Sequence, residues 1–177
     1  MTTGEGGIIT TNDPMIKERA QMIRSHGSKQ RYVHEMLGQN LRMTDIAAAI
    51  GLSQLEKLED FTKKRQENAY YLSKGLKGID RIVVPTQRLN CTHVYHQYTI
   101  RARDRDELVT MLNNKGVGTG IYYPIPIHKQ PIYQELGYED TLPESERAAN
   151  EVVSLPVHPS ITKENMDHII EVIKGDE

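Results

Sequence analysis

Hydrophobic positions recur every third residue near the middle of the chain and predict a long helix. Thr44 precedes a run of compact helix formers and can accept a hydrogen bond from a free amide of the first turn. The next apolar positions share one helical face, which we expect to be buried: Leu52, Leu55, Leu58 and Phe61. The pattern therefore predicts a helix that begins after Thr44 and continues to Leu76, with a break near Gly51 or Glu59.

The downstream part of the chain alternates between strand and helix patterns. We predict strands over residues 81–85, 94–102, 117–123 and 153–155. We predict helices over residues 104–115 and 143–152, and a last helix that begins at Thr162 and stops at Gly175. A near-capping box of Asp104 and Glu107 opens the first of these helices, and three prolines between residues 124 and 131 keep that stretch extended. This order is typical of a small α+β domain with antiparallel strands and helices on one side.

The upstream part of the chain shows a different pattern. Residues 6–11 predict a short strand, and Asp13 followed by proline predicts the start of a helix. Residues 24–42 then show little periodicity, and loops of this length inside compact domains are usually functional or disordered. We place a domain boundary near residue 60, so that residues 1–60 form one part and residues 61–177 form a second domain.

Composition narrows the classes of protein to which the chain can belong. The 177 residues carry a net charge of −2, which provides no overall field for nucleic acid or anionic lipid. The apolar fraction of 37% is low for a self-contained globule. Cys91 is the only cysteine, which excludes an internal disulfide and suits the reducing cytoplasm. No apolar run approaches the ~18 residues of a membrane helix, so we expect a cytoplasmic protein without a membrane partner.

Two polar residues just before the long helix are candidates for anion binding. Asn40 and Arg42 place an amide and a guanidinium beside a predicted helix N-terminus, where phosphate is the usual ligand. The same residues are also compatible with an ordinary capped helix and solvated side chains. The basic character of residues 24–42 leaves nucleic acid, phosphate or no ligand as alternatives.

Histidines and tyrosines of the second domain are candidates for substrate binding. His93 and His96 are three residues apart on a predicted strand, so they point to opposite faces and form a poor metal pair. Tyr122, Tyr123 and His128 lie in the proline-rich stretch, where fixed aromatic and imidazole groups suit recognition of sugar hydroxyls and a diphosphate. A core histidine and a rigid connector with packed tyrosines are the structural alternatives. With one cysteine and no HExxH motif, we expect no metal site.

Seven motifs in a fixed order resemble the DegT-type (DegT/DnrJ/StrS-like) sugar-nucleotide aminotransferases, a branch of the fold-type I pyridoxal-phosphate enzymes. They are TTGEGG at 2–7, SHG at 25–27, GQNLRM at 38–43, AAAIGLSQLEKL at 47–58, HVYHQYTI at 93–100, GIYYPIPIHKQPIY at 120–133 and SLPVHPSIT at 154–162. The resemblance covers nearly the whole chain. Two departures stand out: the Schiff-base lysine that precedes TTGEGG in the family is absent, and Tyr122 stands where the family usually has histidine.

The resemblance implies the following expectations. The fold is α/β overall, and this chain is a C-terminal fragment holding the small α+β domain plus a remnant of the large cofactor domain. The complete protein is a homodimer that uses pyridoxal 5'-phosphate to move an amino group, typically from glutamate, onto a nucleotide-linked keto-sugar. Asn40 bonds the cofactor phosphate across the dimer, with Arg42 beside it, and the region of His93 and His96 lies near the sugar nucleotide or the cofactor edge. The chain alone, lacking the lysine, is not expected to be catalytically competent.

Two other functions remain as alternatives from the sequence. One is a dehydratase relative on the same scaffold, in which histidine replaces the Schiff-base lysine. The other is a non-catalytic regulatory or binding domain that contacts nucleic acid through residues 24–42, for which a steep salt dependence of DNA affinity is the test.

Overall fold

The computed structural model describes residues 1–175, and it separates into two compact units, Met1–Glu59 and Asp60–Glu177. In the first unit, helix α1 (Pro14–Ile23) begins where the sequence predicts. The Asp13 carboxylate accepts hydrogen bonds from the amides of Met15 at 2.8 Å and Ile16 at 3.4 Å. Pro14 occupies the first helical position, where its missing amide costs nothing.

A small hairpin follows α1, so the prediction of a loop without regular structure was wrong here. Strand β1 (Ser28–Gln30) pairs antiparallel with β2 (Val33–His34). Tyr32 at the tip adopts a left-handed backbone with φ of 69°. Glycine or asparagine usually marks such turns, and neither stands at this tip, so the sequence carried no hairpin signal.

The predicted strand at residues 6–11 is also absent, and those residues are exposed. A strand needs a neighbour that accepts and donates its backbone hydrogen bonds. Within residues 1–175, none of the strands pairs with this segment. Local β propensity alone was therefore an insufficient guide.

The long helix is divided into two. Helix α2 (Asp45–Leu55) begins at the predicted cap, where the Thr44 hydroxyl accepts from the Ala47 amide at 3.2 Å, and α3 (Leu58–Leu76) follows after two residues. The break lies at residues 56–57, which agrees with the predicted break near Glu59 and not with the alternative near Gly51. The prediction of a buried face was wrong for its three leucines. Leu52, Leu55 and Leu58 are 69%, 47% and 38% exposed.

The second unit is built on a three-stranded antiparallel sheet. Its strands are β3 (Ile82–Val83), β4 (Tyr98–Ala102) and β5 (Val152–Leu155), in the order β3-β4-β5. Its helices are α4 (Arg105–Asn114), α5 (Pro131–Glu135), α6 (Pro143–Glu151) and α7 (Lys163–Lys174). Tyr98 and Ile100 of β4 pair with Leu155 and Val153 of β5, and all four are buried.

One hydrophobic core joins this sheet to the helices. Leu72 and Leu76 of α3 are fully buried in it. Helix α7 adds four apolar residues at helical spacing, as its sequence predicts: Met166, Ile169, Ile170 and Ile173. The two helices meet closely, since a Cβ on Gly75 would lie 2.3 Å from Ile170 Cδ1. The predicted start of α7 is confirmed by a capping box between Thr162 and Asn165.

Four other local predictions for this unit were wrong. Strand β4 begins at Tyr98, so residues 94–97 are not strand, and residues 117–123 contribute only one isolated bridge, between Gly120 and Ser154. The proline-rich stretch turns into a short 3-10 helix (Ile127–Lys129) and α5, because Pro131 occupies a first helical position. Asp104 precedes α4 without making the capping bond.

We predict that Gly27→Ala disrupts the hairpin of the first unit. Gly27 has φ of +73°, and an added Cβ would lie 1.6 Å from the Met36 carbonyl oxygen. Amide exchange at Glu35, which donates to the Gly27 carbonyl at 2.9 Å, should accelerate strongly. The control is Gly116→Ala, which meets open space at φ of +79° and should cost only about 1–2 kcal/mol of backbone strain. Unchanged exchange at Glu35 in Gly27→Ala would contradict this account of the hairpin.

Candidate functional site

The loop that carries Asn40 is held to the end of α1 by backbone hydrogen bonds. The Gln39 amide donates to the Ile23 carbonyl at 2.8 Å, and the Leu41 amide donates to the Arg24 carbonyl at 3.0 Å. Asn40 itself forms an isolated antiparallel bridge with Ser25. The backbone on both sides of Asn40 is therefore fixed, although its side chain is exposed.

Asn40 and Arg42 are brought together by the structure. Arg42 Nε donates to Asn40 Oδ1 at 3.0 Å. This bond occupies the carbonyl oxygen of the Asn40 amide, so the side chain offers its N–H groups to a ligand. The arrangement presents donors and a guanidinium together, which is the chemistry that an anion requires.

A cavity of about 520 Å³ lies next to these residues in the first unit. Arg24, Arg42 and Thr44 line it, together with Glu5 and Gly6 of the TTGEGG motif, whereas Asn40 does not. Two guanidinium groups beside the N-terminus of α2 favour a negatively charged group. This donor set fits a phosphate group such as that of pyridoxal phosphate. Arg42 would hold it from the cavity wall, and Asn40 lies beside that wall through its bond to Arg42.

His93 and His96 lie in the segment that leads into β4, and not on opposite faces of a strand as predicted. Both side chains are exposed. Two side chains of α3 hold the backbone of this segment: Gln66 Nε2 donates to the His93 carbonyl at 2.9 Å, and Arg65 Nη1 donates to the His96 carbonyl at 3.2 Å. Sequence reasoning missed Arg65 and Gln66, because a polar residue on a helix carries no signal of the distant loop that it contacts.

Three of the predicted substrate residues line one cavity in the second unit. The cavity has a volume of about 590 Å³, and Tyr122, Tyr123 and His128 all contribute to its wall. His93 and His96 do not line it. Tyr122 and Tyr123 are 47% and 73% exposed, and their rings meet edge to face at 5.7 Å. The exposed phenol groups are available to hydroxyl or phosphate oxygens.

His128 differs from these tyrosines because it is buried and already has a partner. Its Nε2 lies 3.0 Å from Glu146 Oε1, and its carbonyl accepts from Gln134 Nε2 at 2.7 Å. The hydrogen bond from His128 is the main cause that holds the pKa of Glu146 below its usual value. A hydrogen bond from the Leu142 amide and the positive charge of Lys129 act in the same direction. The contact joins the 3-10 helix to α6, and sequence reasoning did not anticipate Glu146.

The described residues contain neither a group of three or more potential metal-ligating side chains nor a helix long and apolar enough to cross a membrane. Every lysine in residues 1–175 is exposed. Lys29 pairs with Glu18, and Lys163 pairs with Asp167 at 2.7 Å. These hydrogen bonds raise the pKa of both lysines, the opposite of the lowered pKa that activates a lysine nucleophile.

We predict that the Glu146 contact makes the second unit sensitive to acid. The pKa of Glu146 is lower in the folded state than in the unfolded state. The contact therefore stabilises the fold fully when the pH is above the unfolded-state pKa, and this stabilisation is lost as the pH falls through the folded-state pKa. The difference in midpoint of urea unfolding between wild type and Glu146→Gln should therefore shrink from about pH 6 to about pH 3. Glu144→Gln, on the same helix but paired with exposed Arg147, is the control. A difference that stays constant with pH would contradict the assignment.

Comparison with known proteins places these features in a family. A profile described as the DegT/DnrJ/EryC1/StrS aminotransferase family matches residues 1–174. A pleiotropic regulatory protein of Geobacillus stearothermophilus is 42% identical over 96% of this chain and 46% of its own length. The dTDP-3-amino-3,4,6-trideoxy-alpha-D-glucose transaminase of Streptomyces venezuelae is 34% identical over 97% of this chain and 45% of its own length.

Solved structures give the same result for the fold. S. venezuelae DesV in complex with a ketimine intermediate superposes with a TM-score of 0.88 at 33% identity, over 93% of this chain and 45% of that one. NtdA of Bacillus subtilis with bound cofactor PMP superposes with a TM-score of 0.84 at 29% identity, over 93% of this chain and 40% of that one. The chain thus spans about half the length of the relatives that it matches. The expected α/β fold is confirmed, and the chain belongs to the DegT/DnrJ/EryC1/StrS aminotransferase family.

Proposed function

We propose that this chain is the C-terminal half of a pyridoxal-phosphate-dependent aminotransferase that transfers an amino group, typically from glutamate, to a nucleotide-linked keto-sugar. The observation that carries the proposal is the match of residues 1–174 to one aminotransferase family, at about half the length of its relatives. The transaminase from Streptomyces venezuelae carries a dTDP-linked amino sugar in its name, which supports a nucleotide sugar as the substrate class. We assign residues 1–60 to the large cofactor domain and residues 61–177 to the small domain.

In this proposal the first unit holds the cofactor phosphate. Arg42 orients the Asn40 amide through their 3.0 Å hydrogen bond, and the amide N–H donates to the phosphate. A charge-assisted bond of this kind contributes about 1.5–3 kcal/mol. Pyridoxal phosphate supplies the electron-withdrawing ring on which an amino group is carried between donor and acceptor.

The second unit binds the sugar nucleotide. The exposed phenols of Tyr122 and Tyr123 donate hydrogen bonds to substrate oxygens and accept them from substrate hydroxyls, and His93 and His96 lie at a second contact region. His128 keeps the tyrosine-bearing wall in place through Glu146, with any substrate contact left to its Nδ1. The tyrosine at 122 supplies a hydroxyl where a histidine would supply a ring nitrogen, so a polar contact remains at that position.

A homodimer is the assembly that we propose, and the exposed surface of the first unit supports it. Helix α2 leaves Ile46, Leu52 and Leu55 exposed, although a helix that is apolar on all sides is normally covered. A partner subunit and the upstream half of the protein together would cover this surface. The reducing compartment suited to the one cysteine makes the cytoplasm the proposed location.

The charges of the first unit do not favour the nucleic-acid alternative. Lys29 of the hairpin is paired with Glu18. Arg31 packs over the Tyr32 ring at 4.9 Å. The net charge of −2 also gives the chain as a whole no field that would attract nucleic acid.

The test of this function is complementation between two variants of the complete enzyme. One variant carries Asn40→Ala, and the other has the cofactor-anchoring lysine replaced. Loss of the Asn40 bond should weaken cofactor binding by about one to two orders of magnitude, so the Asn40→Ala parent is nearly inactive at limiting cofactor. The other parent is inactive because it lacks the lysine that anchors the cofactor. If Asn40 acts across the interface, a mixed dimer has one site with both defects and one intact site. Formation of amino-sugar nucleotide from glutamate should then recover.

The control is each variant alone, taken through the same subunit-exchange treatment. If Asn40 acts within its own subunit, every site of the mixed dimer carries one defect. Activity at the level of the parents would then refute the assignment across the interface. A wild-type complete enzyme that transfers no amino group to any nucleotide-linked keto-sugar would refute the function itself.

A further inference from the structure

The His93 ring is held in one orientation by contacts that the proposed function does not require. Its Nδ1 lies 2.9 Å from the backbone nitrogen of Tyr95, and its ring stacks on the Tyr95 ring at 4.1 Å between centroids. Tyr95 in turn packs against Tyr98, whose ring is buried in the core. A surface histidine therefore has a chain of aromatic contacts that leads to the centre of the unit.

The contact with Tyr95 also fixes which ring nitrogen carries the proton. A backbone N–H can only donate, so His93 Nδ1 must be the acceptor and holds no hydrogen. The neutral ring consequently carries its hydrogen on Nε2, on the exposed side chain. His93 thus presents a hydrogen-bond donor of fixed direction to solvent.

Helix α3 anchors the backbone beneath this donor. Gln66 Nε2 donates to the His93 carbonyl at 2.9 Å, and Arg65 Nη1 donates to the carbonyls of Tyr95 at 3.3 Å and His96 at 3.2 Å. Three carbonyls within four residues are thereby held by two side chains one residue apart. Tyr95 adopts a left-handed backbone with φ of 45°, which a non-glycine residue keeps only when its surroundings hold it there.

The charges of the His93 segment and of the helix beneath it suit an anionic acceptor. No aspartate or glutamate stands between Asp80 and Asp104, and the nearest arginine in sequence, Arg88, is exposed. The Arg65 guanidinium adds a positive charge at the base of the segment. A donor without nearby carboxylates in its own segment is suited to a phosphoryl oxygen.

We propose that His93 donates its Nε2–H to a phosphoryl oxygen of the nucleotide diphosphate, and that Gln66 and Arg65 are positioning residues for this contact. The inference rests on the proposed function, because it concerns the nucleotide part of the same substrate. It assigns the diphosphate to the His93 segment and leaves the tyrosine-lined cavity for another part of the substrate.

Calorimetric binding of nucleoside diphosphates to the complete enzyme tests the donor. The probes are UDP and dTDP, with uridine and thymidine as ligands that lack phosphate. His93→Phe keeps the stacking on Tyr95 but removes the Nε2–H, and it should weaken binding of the better diphosphate about tenfold. His168→Phe, an exposed histidine of α7 that lies 2.9 Å from the Lys115 carbonyl, should leave this affinity unchanged.

The positioning role is tested by Gln66→Met, which removes one anchor and keeps the side-chain length. Diphosphate binding should weaken about threefold at unchanged kcat, since the donor is displaced and not deleted. Asn68→Leu is the matched control on the same helix, because Asn68 Nδ2 donates to the His158 carbonyl at 3.1 Å, outside the segment. The control should affect the melting temperature and not the affinity.

Three results would overturn the proposal: wild-type diphosphate affinity in His93→Phe, an equal loss of nucleoside affinity in that variant, or no binding of either diphosphate by the wild type. Long-range ¹H–¹⁵N spectra of the histidine rings provide an independent measurement, and an Nδ1–H tautomer at His93 would also overturn it. Because binding is measured without turnover, an enzyme that binds diphosphate through His93 but transfers no amino group refutes only the proposed function.

Discussion

Helix α3 is the element on which the rest of the second unit depends, because one of its faces packs in the core and the other binds loop backbone. Its apolar face places Leu72 and Leu76 in the core, where both are fully buried. Its polar face donates hydrogen bonds to the carbonyls of two loops, through Gln66 to His93 and through Asn68 to His158. Burial of the first face therefore fixes the position from which the second face holds the loops.

The first unit uses a different device to fix its candidate site. Its loop is held by backbone hydrogen bonds to the end of α1, and the close approach of Gly27 to the Met36 carbonyl permits only glycine there. Little of this unit is buried, and the apolar residues of α2 remain exposed. A fixed loop on a unit with exposed apolar residues is expected of a segment that packs against another protein surface, which agrees with the proposed dimer.

The sequence predicted the elements whose signals are local. Asp13, Thr44 and Thr162 each cap a helix where predicted, and the apolar spacing of α7 matches its buried face. Predictions from the sequence failed where a strand needs a distant strand to pair with. Residues 6–11 have no such strand among the described residues, and residues 117–123 form only one bridge. For the same reason the Glu146 contact of His128 and the anchors of His93 could not be predicted, since each joins residues that are distant in sequence.

The central claim is that this chain contributes phosphate and substrate contacts but not the lysine that anchors the cofactor. All its described lysines are exposed, and hydrogen bonds to carboxylates raise the pKa of Lys29 and Lys163. The most direct test is to incubate the purified chain with pyridoxal phosphate, reduce with borohydride and map modified lysines by mass spectrometry. The account predicts only substoichiometric labelling spread over several lysines. A stoichiometric adduct at one lysine would contradict it.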